Sequence, residues 1–294
     1  MDILELLKEN GKTVPPEWEK LAERACGFLR SGSALLPCGI YPLAWLRDGK
    51  PSDDSVSTAG AACVLALVKS YLYRGDRRDL EAAEKVFARY YDLHMKTFDR
   101  PFSRATFDAK CEDKEAGIYV FCSAALLYRA TGNRFYREAA DDAGDWLLTF
   151  VYFWDTGFLP GSQCAEKGFR TTGWPGVSVQ NHHLDVFFPA WEMYEYGKDT
   201  GNVRFSHMGM CVAKALTQGV CSHPGEWGFS VVGEQGEQYY HTNYVQCWYP
   251  EILKNTDFWR GRMRPWNPSW ITAQIYQSAL RFASETEAED KENK

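Results

Sequence analysis

Three short turns constrain this chain more than any other feature. Arg74-Gly75-Asp76, Thr131-Gly132-Asn133 and Thr200-Gly201-Asn202 each separate an apolar segment from a more charged one. Val56 to Tyr73 is apolar nearly all round and rich in Ala and Gly, the pattern of a helix buried on every side. Arg77 to Lys96 keeps a single apolar stripe among its charges, the pattern of a half-exposed helix. The alternation recurs as Glu115 to Arg129 with Phe135 to Tyr152, and as Val179 to Tyr196 with Val203 to Gln218. A buried helix, a tight turn and a half-exposed helix make an αα-hairpin. A hairpin that recurs signals a repeat architecture.

The flanks are plainer. Met1 to Asn10 reads as a short amphipathic helix, and Pro15-Pro16 opens a second over Glu17 to Arg30. Residues 1–53 are less regular than the hairpin segments. An apolar helix is expected over Trp270 to Phe282, and the charged tail from Glu285 to Lys294 is expected to be disordered. Residues 1–284 are thus expected to form one domain. Links within hairpins are short, whereas links between them are long: Thr97 to Lys114, Phe153 to Ser178 and Gly219 to Ser269. Loops this long are uncommon unless functional or disordered, and their Trp, Tyr and Phe content argues against disorder. If the hairpins form a ring or arc, these loops gather at the N-terminal ends of the inner helices, where a rigid scaffold positions sites. In the last loop, β-prone Trp227 to Val232 and Glu237 to Thr242 flank Gly233-Glu234-Gln235-Gly236, which predicts a small β-hairpin.

Composition excludes several functions. A net charge of −6 and no basic patch argue against nucleic acid or an anionic membrane as partners. No run is long and apolar enough to span a membrane. The nine cysteines are odd in number and scattered, without a C-x-x-C pair. With no secretory leader at the start, they read as reduced thiols of a cytoplasmic protein. Cys26, Cys63, Cys122 and Cys211 fall in helical patterns as small core residues. Cys111 and Glu112 with Cys164 or Cys247 and a histidine would be the material for a zinc site, but no spacing supports one. Neither a P-loop nor G-x-G-x-x-G occurs, so no metal or cofactor is expected.

The polar cluster that stands out is Asn181-His182-His183-Leu184-Asp185, which comes after the turn Gly173-Trp174-Pro175-Gly176. Placed in the first turns of an inner helix, Asn181 and His182 would each share a face with Asp185. Adjacent histidines on a helix point about 100° apart, so His182 is the one expected to face a pocket. The plainer reading is an N-cap with a satisfied histidine pair. Trp174 fits either a sugar-stacking platform or core packing.

The alternating inner and outer helices with Thr-Gly-Asn turns resemble the six-hairpin glycosidase-like superfamily, the α/α toroid, over residues 54 to 285. The resemblance implies an all-α toroid whose funnel, at the inner-helix N-terminal end, takes a carbohydrate substrate. The superfamily includes hydrolases, lyases, epimerases and isomerases. No one family's catalytic residues match by motif. Six hairpins need twelve helices, and only about seven belong to the repeat here. The expectation is an incomplete ring, with either a missing N-terminal portion or a homodimer covering the open flank.

Paired carboxylates suit glycoside hydrolysis, where one acts as acid and the other as base or nucleophile. Asp113 and Asp185, each at an expected inner-helix start, are the candidate pair, with His182 and Asn181 orienting substrate. Asp54, Glu112, Trp174, His183, Tyr240, His241 and Trp266 complete the expected substrate-binding set. His182 would instead serve as base in a sugar epimerase or isomerase. A lyase would add Arg170 or Arg104 to neutralise a uronate. A non-catalytic carbohydrate-binding module remains a third alternative, since Asp at a helix start is also an ordinary N-cap.

Overall fold

Each expected turn closes one helix and opens the next. Gly75, Gly132 and Gly201 adopt φ of 74°, 68° and 72°, the left-handed conformation that ends helices and favours glycine. The following residue caps the next helix: Asp76 accepts from the Arg78 N–H at 3.0 Å, Asn133 from Phe135 at 3.0 Å and Asn202 from Phe205 at 3.4 Å. A helix stop and a helix start thus sit on adjacent residues.

The computed structural model describes residues 1–52, 56–97, 102, 112–178, 183–240 and 250–292, with side chains of the last helix through Glu285. The chain divides into two units, Met1–Trp146 and Leu147–Lys294.

The first unit holds α1 (Asp2–Glu9), α2 (Pro16–Leu29), α3 (Ala61–Arg74), α4 (Arg77–Tyr90), α5 (Lys114–Thr131) and most of α6 (Arg134–Leu148). Tyr91–Met95 extend α4 as a π-helical turn. The expected stripe on α4 is Leu80, Ala83, Val86, Phe87 and Tyr90, all buried. α3 starts at Ala61 rather than Val56, because Gly60 occupies the N-cap. Asp79 is wholly buried in this helical layer and binds three elements at once. It pairs with Arg30 of α2, with Arg74 of α3 at 2.8 Å, and accepts from Ser70 at 2.5 Å.

The second unit holds α7 (Gln163–Glu166), β1 (Leu184–Asp185), α8 (Ala190–Thr200), α9 (Val203–Leu216), β2 (Gln238–Tyr240), α10 (Pro250–Leu253), α11 (Thr256–Trp259), β3 (Arg262–Arg264) and α12 (Ser269–Glu292). α12 runs on into the charged stretch that begins at Glu285. Two expectations change here. The third inner helix begins at Ala190, not Val179, with Pro189 at its N-cap. Proline lacks the N–H that a helix interior needs and disfavours helical geometry in the residue before it. The segment ahead of Pro189 is therefore extended, and Asp185 lies on a strand.

β-structure does appear in the last long loop, but β2 pairs with β1 and β3, in the antiparallel order β1-β2-β3. Trp227 to Val232 form no strand. Glu226–Gly228 make a 3-10 turn with Trp227 at φ 55°, a left-handed geometry that strains a non-glycine residue. Of the cysteines expected in the core, Cys26 and Cys122 are buried, Cys63 is half-buried and Cys211 is exposed.

The two long loops of this unit share a core. Trp174 and Phe169 from one pack on Tyr239 and Trp227 from the other, with ring centroids 4.8 to 5.7 Å apart. Glu226 anchors its rim. The Ser222 hydroxyl and N–H reach its carboxylate at 2.6 and 2.7 Å, and Lys167 at 3.1 Å. The Lys167 ammonium also lies 4.7 Å from the centre of the Trp227 ring.

Two measurements test these anchors. Asp79→Ala leaves Arg74 without its carboxylate and Arg30 with only Asp76 at 3.6 Å, and should cost about 3–5 kcal/mol in urea unfolding, the usual penalty for breaking a buried pair. Glu226 is held down to about 2, chiefly by the Ser222 hydroxyl, from an ordinary 4.5. A lowered folded-state pKa contributes stability that is fully present above the unfolded value and is lost as pH falls. Trp227 fluorescence should therefore change as pH drops from about 4.5 toward 2, and Glu226→Gln should abolish that transition.

Candidate functional site

Side chains alternate across a strand, and that alternation sorts the small sheet into two unlike faces. Leu184, Tyr239 and Met263 form one cross-strand row, and all three are buried in the aromatic core. Asp185, Gln238 and Arg264 form the adjacent row on the opposite face, followed by Tyr240 opposite Arg262. His183, just before β1, reaches this second face, its ring 5.7 Å from that of Tyr240.

The second face is polar and closed off from water. Asp185 and Gln238 are 1% exposed, Tyr240 0% and His183 4%. Burying such groups is costly unless they are hydrogen-bonded; Gln238, Tyr240 and Asp185 are bonded, whereas His183 Nδ1 meets no hydrogen-bond partner among the described residues. The Gln238 side-chain oxygen accepts from the Tyr240 hydroxyl at 2.9 Å and from Arg264 Nη1 at 3.2 Å. Arg264 Nη2 donates to Glu251 of α10 at 2.5 Å. Asp185 Oδ1 accepts the Val186 N–H at 2.8 Å. At the edge, the Arg264 guanidinium stacks on Trp266, 5.1 Å from its ring centre, and that ring is 51% exposed. An imidazole, a carboxylate, a phenol and a guanidinium thus converge beside an open aromatic surface.

The expected site residues fare differently. The structure brings together His183, Asp185 and Tyr240, with Trp266 alongside. Asp185 lies on a strand and not in the first turns of a helix. Asp54, Asn181, His182 and His241 lie outside the described residues. Asp113 belongs to the first unit. It caps α5 by accepting the Glu115 N–H at 2.9 Å and is 3% exposed, with Glu112 exposed beside it.

Trp174 is no sugar platform. It is fully buried, 4.9 Å from Phe169 and 4.8 Å from Tyr239 between ring centroids, and its indole nitrogen has no hydrogen-bond partner among the described residues. Gln238, Arg264 and Glu251 were not anticipated. The polar–apolar–polar order of Arg262-Met263-Arg264 is the signal that would have found Arg264. Among the described residues, no group of three His, Cys, Asp or Glu side chains is arranged to hold a metal ion, and no helix is long and apolar enough to cross a membrane.

No family model matches this sequence, and neither does any curated protein. Solved structures do. The chain is similar to a sugar epimerase from a ruminal bacterium, at 15% identity and a TM-score of 0.53 over 75% of this chain and 57% of that one. Cellobiose 2-epimerase from Spirochaeta thermophila gives 14%, 0.54, 76% and 57%. A D-mannose isomerase gives 13%, 0.54, 83% and 60%. The likeness shows the α/α-toroid fold. At such identities the likeness shows the fold alone, and the chain spans less than two thirds of the length of these toroid proteins.

The Gln238 junction is directly testable. Gln238→Leu would leave the Tyr240 hydroxyl and the Arg264 Nη1 without their shared acceptor. Arg264 keeps Glu251 and is partly exposed, so the cost falls on the buried Tyr240 hydroxyl, about 1–3 kcal/mol, and urea unfolding should register a loss in that range.

Proposed function

We propose that this toroid-fold chain acts on a carbohydrate and that its chemistry is proton transfer at a sugar carbon, as in an aldose–ketose isomerase or a 2-epimerase. The observation that carries the reading is the row of polar side chains on one sheet face, where the His183 ring lies 5.7 Å from that of Tyr240 and Asp185 follows two residues on. Histidine has an unperturbed pKa near neutrality, which suits it to take and return a proton. In the reaction, His183 removes the proton from C2 of the open-chain sugar. The electron pair moves into the C1–C2 bond, and negative charge develops on the carbonyl oxygen. The phenol of Tyr240 and the guanidinium of Arg264 are the nearby groups suited to that charge. Return of the proton to C1, with the O2 hydroxyl proton passing to O1, gives the ketose, and return to the opposite face of C2 gives the epimer. No electrons leave the substrate, so the reaction calls for no oxidant.

Trp266 supports the carbohydrate assignment, because an exposed indole face beside a polar cluster suits the apolar face of a sugar ring. The similar solved structures include a sugar epimerase, a cellobiose 2-epimerase and a mannose isomerase, which agrees with this choice of reaction. Glycoside hydrolysis by Asp113 and Asp185 is the second reading. It is supported by the two buried carboxyl side chains, Asp113 at 3% and Asp185 at 1% exposed, the residue type that glycoside hydrolysis employs.

The deciding experiment incubates the purified chain with mannose, glucose and cellobiose in D2O and follows the C2 proton and the sugar products by NMR. Deuterium incorporation with isomer formation is expected, abolished by His183→Ala and reduced about 10²-fold or more by loss of general acid–base help. Aryl-glycoside hydrolysis without exchange, lost in Asp113→Asn and in Asp185→Asn, would overturn the isomerase reading in favour of hydrolysis.

A further inference from the structure

An apolar cleft of about 270 Å³ lies in the second unit between α8, α9 and α12. It is separate from the polar sheet face, since none of the residues on that face lines it. Its origin is legible in the packing. α12 closes on α8 near its far end, where Phe282 meets Trp191 and Tyr194, both at 5.1 Å between ring centroids. Short of that contact the facing positions are small: Ala190 of α8, Ala213 of α9, and Ala279 and Ala283 of α12. Side chains this short cannot fill the space between helices, so an apolar trough remains.

Two polar groups on its walls donate within the protein, while the buried Gln274 Oε1 has no hydrogen-bond partner among the described residues. Gln274 donates to the Phe188 carbonyl at 3.2 Å, and the Thr217 hydroxyl to the Lys214 carbonyl at 2.7 Å. Lys214 is different. It is the one charged residue of the lining, it is exposed, and its ammonium makes no ion pair among the described residues. An apolar trough with a lone cation at its mouth complements a molecule with an aliphatic body and an anionic head. Ligand sites between helices have this composition, and they start at about 300 Å³.

We infer that this cleft is a binding site for a small aliphatic carboxylate, its chain lying between α9 and α12 and its head on Lys214. The lysine stem runs along the apolar wall while its charge stays in water, the usual disposition of that side chain.

Calorimetric titration of the full chain with octanoate tests this, with octanol as the uncharged control. Octanoate should bind, and Lys214→Gln should weaken it by about fivefold, the worth of one exposed charge pair at its upper end. Octanol should bind about equally to the Lys214→Gln variant and to the unaltered protein. Ala213→Phe from one wall and Ala279→Trp from the other should each abolish binding, with circular dichroism confirming that the variant is folded. No heat from octanoate at millimolar concentration would overturn the inference, as would octanoate binding indifferent to Lys214→Gln. A dimer in sedimentation velocity that Ala279→Trp dissociates would also overturn it, by giving the cleft to a second copy of the chain.

Discussion

The left-handed glycine followed at once by a capping Asp or Asn is the constraint on which the helical architecture rests. A helix leaves four carbonyls and four amides unsatisfied at its ends. At Gly132-Asn133 and Gly201-Asn202 the chain settles one helix end and the next helix start within two residues. The threonines before these glycines contribute as well: Thr131 and Thr200 return their hydroxyls to the carbonyls of Leu127 and Tyr196, both at 2.7 Å. So short a connection forces consecutive helices to run antiparallel in contact. All the freedom in the chain is thereby pushed into the links between hairpins, where the long aromatic loops occur.

In the second unit those loops build a scaffold of their own. The sheet is only three strands of two or three residues, too small to be stable alone. Its apolar face makes it stable. Tyr239 sits among Trp174, Phe169 and Trp227, and its hydroxyl donates to the Gly219 carbonyl at 3.0 Å. A Cβ on Gly219 would lie 2.3 Å from that hydroxyl, so only glycine permits the approach. Burial pushes the Tyr239 phenol above its ordinary pKa, which keeps it a hydrogen-bond donor. With one face fixed in this way, alternation dictates where Asp185, Gln238 and Arg264 point.

How much of this could be read in advance depended on segment length. The 3.6-residue period extends over several turns in α3 to α6 and in α9, and those helices came out within a few residues of their expected limits. The strands span about one period of alternation each, so periodicity says little about them. Apolar residues at Leu184, Val186, Phe187 and Phe188 suit a helix or a strand equally well, and Pro189 was the arbiter. It places Leu184 and Asp185 before the helix, which changes their partners entirely. Trp174 shows a different limit. A Gly-Trp-Pro-Gly turn is compatible with display or with burial, and only the second loop, contributing Tyr239 and Trp227, decides for burial. Asp113 was legible both as an acid at a helix start and as a cap, and its bond to the Glu115 amide makes it a cap.

The position of Gln238 explains why the polar face can be both buried and ordered. A single side-chain oxygen receives the Tyr240 hydroxyl and the Arg264 guanidinium, so two donors that would otherwise need water are satisfied by a strand neighbour. Tyr240 is then held with its ring against His183, and Arg264 is held between Glu251 and the Trp266 face. Tyr240, Gln238 and Arg264 thus hold one another across the sheet, and Glu251 of α10 takes the other side of the guanidinium. A chain whose strands are this short achieves that order through cross-strand registry, because a one-residue slip would put Tyr239 among the polar groups and Gln238 into the aromatic core. The core tolerates neither exchange, and the same packing that stabilises the loops therefore sets the geometry of the site.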